Sequence, residues 1–381
     1  MDFELPAEHR MIRDTVREFC ESEIRPIAQA VEDDRRFPAE VFDTLADLDM
    51  MGIPISEEHG GLGGDQLMYA VVTEELGRVS GGIGLSFAAH TSLGAKPIEL
   101  FGTDAQKQEW LRPLAAGEAL GAWALTDPGS GFDASSIETT AEYDADADEY
   151  VLNGTKRFIT NANVADSVLV TAVTDPEAGS DGISTFIVDP DSDDGFEVTA
   201  AVEKMGCNCS PTCEVTLDDV RLPADRLLGE EGEGRTQAMK TMDCGRISIA
   251  ALSVGLAQGA YEAAKEYACE REQFGKPIAK FDAIRDKLVH MHRQTERARL
   301  LTHRAATRYD ADDVTRASAL AKLDASEAAR EVAEEAVQTL GGYGYTTDFA
   351  PQRFYRDAKL MEIDGGTSEI QRAVIGRELG L

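Results

Sequence analysis

Hydrophobic and polar positions follow two rhythms along this chain, and the rhythm changes twice. Over residues 1–120 the apolar positions fall at helical spacing. Pro26 and Pro38 punctuate them, and His59-Gly60-Gly61-Leu62-Gly63-Gly64 makes a turn. Over residues 121–230 short runs rich in Val, Ile and Thr take over: Tyr150–Leu152, Lys156–Phe158, Ser167–Thr174, Ile183–Asp189 and Thr212–Leu217. Asn153-Gly154 between the first two predicts a hairpin turn. No helix-length pattern lies between these runs, so the predicted sheet is antiparallel rather than doubly wound.

Over residues 231–381 the 3.6-residue period returns. Ile284, Leu288, Met291, Ala298 and Leu301 fall on one face. Val314, Ala317, Ala321, Ala325, Ala328, Val332 and Ala336 form a second stripe whose small side chains allow close helix contact. Long helices joined by short loops predict an antiparallel bundle. The expected fold is α+β and multidomain: helical domain, middle antiparallel β domain, C-terminal four-helix bundle.

Charge narrows the partners. Lys plus Arg number 37 against 70 Asp plus Glu, a net charge of −33. That excludes nucleic acid and disfavours an anionic membrane surface. The acid excess is spread along the whole chain, as expected of a solvated coat that keeps a protein soluble in strong salt. A salt-adapted source is therefore expected. The most apolar run, 247–257, is too short for a membrane span, and Met1-Asp2-Phe3-Glu4 lacks a signal-peptide pattern. Six Cys are too few for a disulfide scaffold, so a cytoplasmic location is expected. Cys207, Cys209 and Cys213 cluster, but C-x-C-x3-C has no second pair at zinc-site spacing, and no metal is expected.

Common catalytic signatures are missing: no G-x-G-x-x-G, P-loop, G-x-S-x-G or H-E-x-x-H. Small-residue loops remain. Thr126-Asp127-Pro128-Gly129-Ser130-Gly131 offers backbone N–H groups and hydroxyls to an anion, or is a plain turn. Gly341-Gly342-Tyr343-Gly344-Tyr345 ends a long helix. Gly365-Gly366-Thr367-Ser368-Glu369 precedes a short one, with Thr367 or Ser368 as its N-cap.

Taken together these stretches resemble the acyl-CoA dehydrogenase family over nearly the whole length. Six stand in family order: Pro54–Gly61; Ala124–Gly129; Leu152–Asn161 (Leu-Asn-Gly-Thr-Lys-Arg-Phe-Ile-Thr-Asn); Arg271-Glu272-Gln273-Phe274-Gly275; Gln338–Tyr345; and Arg356-Asp357-Ala358-Lys359 through Gly366–Arg372. The resemblance implies FAD held between the β domain and the bundle, and a homotetramer. It also implies oxidation of an acyl-CoA to the 2,3-enoyl-CoA, with electrons passing to an electron-transferring flavoprotein. It implies that Leu125, Thr126, Phe158, Ile159 and Thr160 line the flavin, joined by Thr367 and Glu369. Arg271, Gln273, Phe274, Gln338, Gly341 and Gly342 would hold the diphosphate and adenosine ends of a neighbour's FAD. Asp243 and Arg246, with Gly365 and Gly366, would lie on the substrate side; the plain alternative for Asp243 and Arg246 is an i, i+3 helix pair. His90 is similar to the short branched-chain branch, or is a satisfied core histidine.

The chain departs from the family pattern at its chemical centre. The usual base is a Glu just before the Gly-Thr of the C-terminal loop, where this chain has Gly365. A second branch carries it just before an Arg on the first bundle helix, where this chain has Gly245. Phe132, Phe158, Asn208 and Asp282 also differ from the common residues. Three readings follow. Asp364, beside the empty slot, supplies the base. Or the protein acts on acyl-CoA without a base, as in desulfination of a sulfinoacyl-CoA. Or it binds flavin or CoA with little activity.

Overall fold

A computed structural model describes residues 4–131 and 136–381. Phe132 lies outside them. The N-terminal third is helical: α1 (Ala7–Phe19), α2 (Ala28–Asp33), α3 (Ala39–Asp47), α4 (Gln66–Val79), α5 (Gly81–Ala89), α6 (Lys96–Phe101), α7 (Asp104–Gln106) and α8 (Arg112–Ala116). Asp65 starts α4 by accepting from Met68 N at 2.8 Å, a side-chain N-cap. A π-helical turn, His90–Ala95, joins α5 to α6.

The middle of the chain is one seven-stranded sheet: β1 (Gly121–Ala124), β2 (Thr140–Asp144), β3 (Glu149–Thr160), β4 (Ser167–Val173), β5 (Ile183–Val188), β6 (Phe196–Ala201) and β7 (Thr212–Pro223). Its order is β1-β4-β2-β3-β7-β6, with β5 also on β4. Two expectations need correction. The sheet is mixed, because β1 and β2 both run parallel to β4. Asn153-Gly154 is not a turn, since β3 runs straight through it. The hairpin closes one segment earlier, between Asp144 and Glu149. Gly154 serves close approach instead, because a Cβ there would lie 2.6 Å from Thr139 Oγ1. Asn153 Nδ2 reaches across to Asp219 Oδ1 at 3.0 Å.

The C-terminal part is a bundle of α9 (Gly234–Glu270), α10 (Asp282–Ala306), α11 (Val314–Leu340) and α12 (Pro351–Met361), closed by α13 (Ser368–Glu378). A small hairpin of β8 (Glu272–Gln273) and β9 (Lys276–Pro277) joins α9 to α10. The Ala stripe of α11 is buried, and α9 packs most heavily against it and against α4. The two glycines Gly255 and Gly259 of α9 sit against the backbone of α4, where a Cβ would meet Glu74 O and Arg78 O at 2.1 and 2.2 Å. That contact locks the N-terminal helices to the bundle. Among the described residues no helix is long and apolar enough to cross a membrane.

Candidate active site

The sheet and the bundle meet at a cavity of about 340 Å³. The end of β1 brings Trp123, Leu125 and Thr126 to its wall, and the end of β3 brings Phe158, Ile159 and Thr160. α9 supplies Gly245, Arg246, Ser248 and Ile249. The C-terminal loop supplies Asp364, Gly365 and Gly366. α5 and the π-helical turn close the far side with Leu85, Ala88, Ala89, Ser92 and Leu93. π-Bulges often mark such sites. The segments gather because Lys156, fully buried on β3, donates to Leu125 O at 3.3 Å and pairs with Asp127 at 2.5 Å. Arg157 N also donates to Thr126 O at 2.8 Å.

The predicted site residues separate into three groups. Leu125, Thr126, Phe158, Ile159, Thr160, Arg246, Asp364, Gly365 and Gly366 share the cavity wall. Thr367, Glu369 and Asp243 lie beside it. Thr367 is the N-cap position of α13, yet its side chain makes no bond to the helix backbone; the backbone N–H of Glu369 and then the Thr367 hydroxyl help hold the Glu369 carboxyl below its ordinary value. Glu369 is exposed in the first turn of α13. The Asp243 carboxylate is turned into the bundle. It accepts from Arg246 at 2.7 Å, Thr315 at 2.9 Å and Ser318 at 3.1 Å, so the i, i+3 pair is what the structure forms.

Arg271, Gln273, Phe274, Gln338, Gly341 and Gly342 form the third group, at the other end of the bundle. All six are exposed, and the Tyr267 and Tyr343 rings, 6.3 Å apart, join their two segments. Gly245 and Glu270 stand 25 residues apart on α9, about 37 Å at 1.5 Å per residue. This group does not share the cavity of its own chain.

Asp364 is the carboxylate on the cavity wall, at the slot's edge. Its Oδ1 accepts from Gly365 N at 2.8 Å. Burial raises its carboxyl above the ordinary value, and the Lys322 ammonium draws it partly back. Gly365 (φ +63°) and Gly366 (φ +89°) give the loop backbone geometry that L side chains rarely adopt. A Cβ at Gly365 would meet only Ile249, at 3.4 Å, and one at Gly245 only Leu93, at 3.5 Å. Both empty slots therefore open onto one cavity.

The wall suits a flavin. Trp123, Leu125, Phe158 and Ile159 make an apolar slot, and the Thr367 hydroxyl beside it, which does not cap its own helix, offers a hydrogen bond to a ligand. Sequence reasoning missed Ser92, Leu93, Met239, Met242, Arg235 and Ile370 of the lining. Helical periodicity marks such residues only as core. His90 is a core histidine, fully buried, with Nδ1 accepting from Gly121 N at 3.0 Å. Burial holds it neutral, down at about 4. Cys207, Cys209 and Cys213 are buried thiols.

Comparison with known proteins gives the same outline. Models of the acyl-CoA dehydrogenase N-terminal, middle and C-terminal domains match residues 6–118, 122–220 and 232–380. The short-chain-specific acyl-CoA dehydrogenase of Clostridium acetobutylicum is 43% identical over 380 residues, all of both chains. The butyryl-CoA dehydrogenase structure from Megasphaera elsdenii superposes with a TM-score of 0.97 at 40% identity, covering 100% of both chains. A chain from a study of the electron-transferring flavoprotein of Acidaminococcus fermentans gives 0.97 at 42% identity, covering 100% of this chain and 99% of that one. The acyl-CoA dehydrogenase of Bacillus anthracis complexed with FAD gives 0.92 at 34% identity, covering 99% and 67%.

Proposed function

Because the chain belongs to the acyl-CoA dehydrogenase family, we propose that it oxidises a short acyl-CoA thioester to the 2,3-enoyl-CoA. It is an FAD-dependent oxidoreductase, and its electrons pass to an electron-transferring flavoprotein. The observation that carries this reading is the meeting of Asp364 with the β1 and β3 ends on one cavity. Leu125, Thr126 and Phe158–Thr160 would hold the isoalloxazine, with Thr367 donating to it. Bound there, FAD supplies the acceptor for the hydride that leaves the acyl β-carbon.

Asp364 is the base in this reading. An α-proton beside a thioester needs a positioned acceptor. Burial strengthens Asp364 as one by raising its carboxyl. The positive-φ glycines beside it permit the swing that an Asp one residue before the usual slot requires. Leu85, Ala88, Ala89, Leu93 and Ile249 close the acyl end with apolar surface that excludes water. This close floor, and the likeness to short-chain relatives, support a short acyl group.

We propose a homotetramer as well. The third group of residues lies too far from its own cavity to serve it, so it would serve the FAD of a neighbouring copy. The test is direct. The purified protein, yellow or refolded with FAD, is mixed anaerobically with butyryl-CoA and its visible spectrum followed. Bleaching is expected. A protein that stays colourless after refolding with FAD overturns the reading. Bleaching by Gly365→Glu alone, never by the natural protein, moves base-free chemistry on acyl-CoA to first place.

A further inference from the structure

Lys322 is the anomaly of the bundle. It lies on the Ala-lined seam of α11, fully closed from solvent, where neighbouring positions are Ala or Ser. Its Nζ donates to Gly366 O at 2.6 Å, its one hydrogen bond among the described residues. Gln371, equally buried on α13, donates to Gly365 O at 3.0 Å and to Gly366 O at 2.9 Å. The glycine turn behind Asp364 is thus held from two sides.

The charges around Lys322 are accounted for except one. Glu362, at the end of α12, pairs with Arg330 at 2.8 Å and Lys359 at 2.5 Å. Glu327 of α11 pairs with Arg372. Arg246 of α9 pairs with Asp243 at 2.7 Å. Asp364 has no ion pair of its own among the described residues, and Lys322 has none either. We propose that Lys322 is a positioning residue for the reaction: its ammonium fixes the Gly365–Gly366 turn and is the counter-charge that keeps Asp364 ionised.

This rests on the reading of Asp364 as the base. Desolvation pulls Lys322 down to about 8 against the attraction of Asp364, Glu362 and Glu327, while Arg246 adds to the pull. Burial raises the Asp364 carboxyl; the Gly365 N–H bond and then the Lys322 ammonium draw it back. Burial drives a carboxyl in an apolar wall toward its neutral form, and a nearby cation opposes that.

The experiment follows anaerobic flavin bleaching by butyryl-CoA across pH in wild type, Lys322→Met, Lys322→Gln, Lys322→Arg and Asp364→Asn. Lys322→Gln keeps a donor for Gly366 O but removes the charge. Removing a cation beside a carboxyl raises it by about 1–3 units, so the acidic limb should move up by that much in the Met and Gln variants. FAD content should hold, Lys322→Met, which also leaves Gly366 O without its donor, should lower the plateau rate more than Lys322→Gln, and Lys322→Arg should keep the wild-type limb. An unmoved limb in both neutral variants, with Asp364→Asn slow, overturns the role of Lys322 and leaves the base intact. An Asp364→Asn variant as fast as wild type overturns the base, and this inference with it. Failure of both neutral variants to fold also overturns it, since a counter-charge for the loop alone is dispensable to the bundle.

Discussion

Lys156 Nζ lies 2.5 Å from Asp127 Oδ1, and neither side chain reaches solvent. Asp127 Oδ2 also accepts from Glu138 N at 2.7 Å and Thr139 N at 2.8 Å. One ion pair thus ties the end of β1, the approach to β2 and the middle of β3, which carry the flavin-facing residues. Desolvation pulls Lys156 down to about 8 although Asp127 holds its charge. Lys156→Met would leave the carboxylate buried without its cation, at a cost of roughly 3–5 kcal/mol. Lower thermal stability and loss of FAD on gel filtration are expected. The double variant with Asp127→Asn should recover part of both, because the pair is coupled. Equal FAD retention in Lys156→Met and wild type would contradict the tie.

Glu74 of α4 predicts an acid-sensitive joint between the N-terminal helices and the bundle. It is buried and accepts from Arg299 Nε at 2.8 Å, with His303 Nε2 3.4 Å away. Burial pushes its carboxyl up, but Arg299 and His303 hold it down at about 2. A depressed folded value adds stability above the ordinary 4.5, and that stability is lost as pH falls from there toward 2. Glu74→Gln should cost roughly 3 kcal/mol at pH 7, at about 1.4 kcal/mol per unit. The gap in urea midpoint should narrow between pH 5 and pH 3. A gap independent of pH would show that the carboxylate charge is not what matters.

The exposed end of the bundle predicts assembly. Phe274 is 94% exposed and Tyr345 85%, near Arg271 and Gln338. Surface of that kind calls for a covering partner. A net charge of −33 per chain opposes it at low salt, where the Debye length is about 10 Å at 0.1 M against about 3 Å at 1 M. Light scattering should find a tetramer in molar salt that dissociates on dilution of the salt. Arg271→Ala should release FAD more easily while leaving the cavity of its own chain unchanged. A monomer at every salt concentration would defeat both expectations.

Much of this architecture is legible in the sequence because periodicity reports burial. The Ala317–Ala336 stripe is buried as its spacing implies. The failures share one cause. Asn153-Gly154 carries a hairpin signal, but Gly154 is there for Thr139, just before the adjacent strand, a contact that local turn chemistry does not encode. The parallel pairing of β1 with β4 is likewise set by tertiary packing. The bonds of Asp243 to Thr315 and Ser318, some seventy residues on, are likewise long-range contacts that the sequence does not announce. The sequence does not single out Lys322, because its partner is a backbone carbonyl, which has no sequence signature.

Gly245 and Gly365 offer two places to rebuild the usual carboxylate, and the backbone ranks them. Gly365 has φ +63°, where a side chain costs about 1–2 kcal/mol. Gly245 lies inside α9, where replacing glycine gains up to about 1 kcal/mol of helix propensity. A Cβ fits at either, at 3.4–3.5 Å from its nearest neighbour. Burying a new carboxylate costs stability at either site, so Gly245→Glu should be the more stable of the two variants and Gly365→Glu the less stable. Asp364→Asn should slow anaerobic bleaching by roughly 10²- to 10⁴-fold, the usual worth of a general base. In that background either new Glu should restore part of the rate. If Gly245→Glu restores it and Gly365→Glu does not, the strained loop cannot aim a side chain. If neither does, the acyl α-carbon lies out of reach of both slots. If Asp364→Asn bleaches as fast as wild type, Asp364 is not the base.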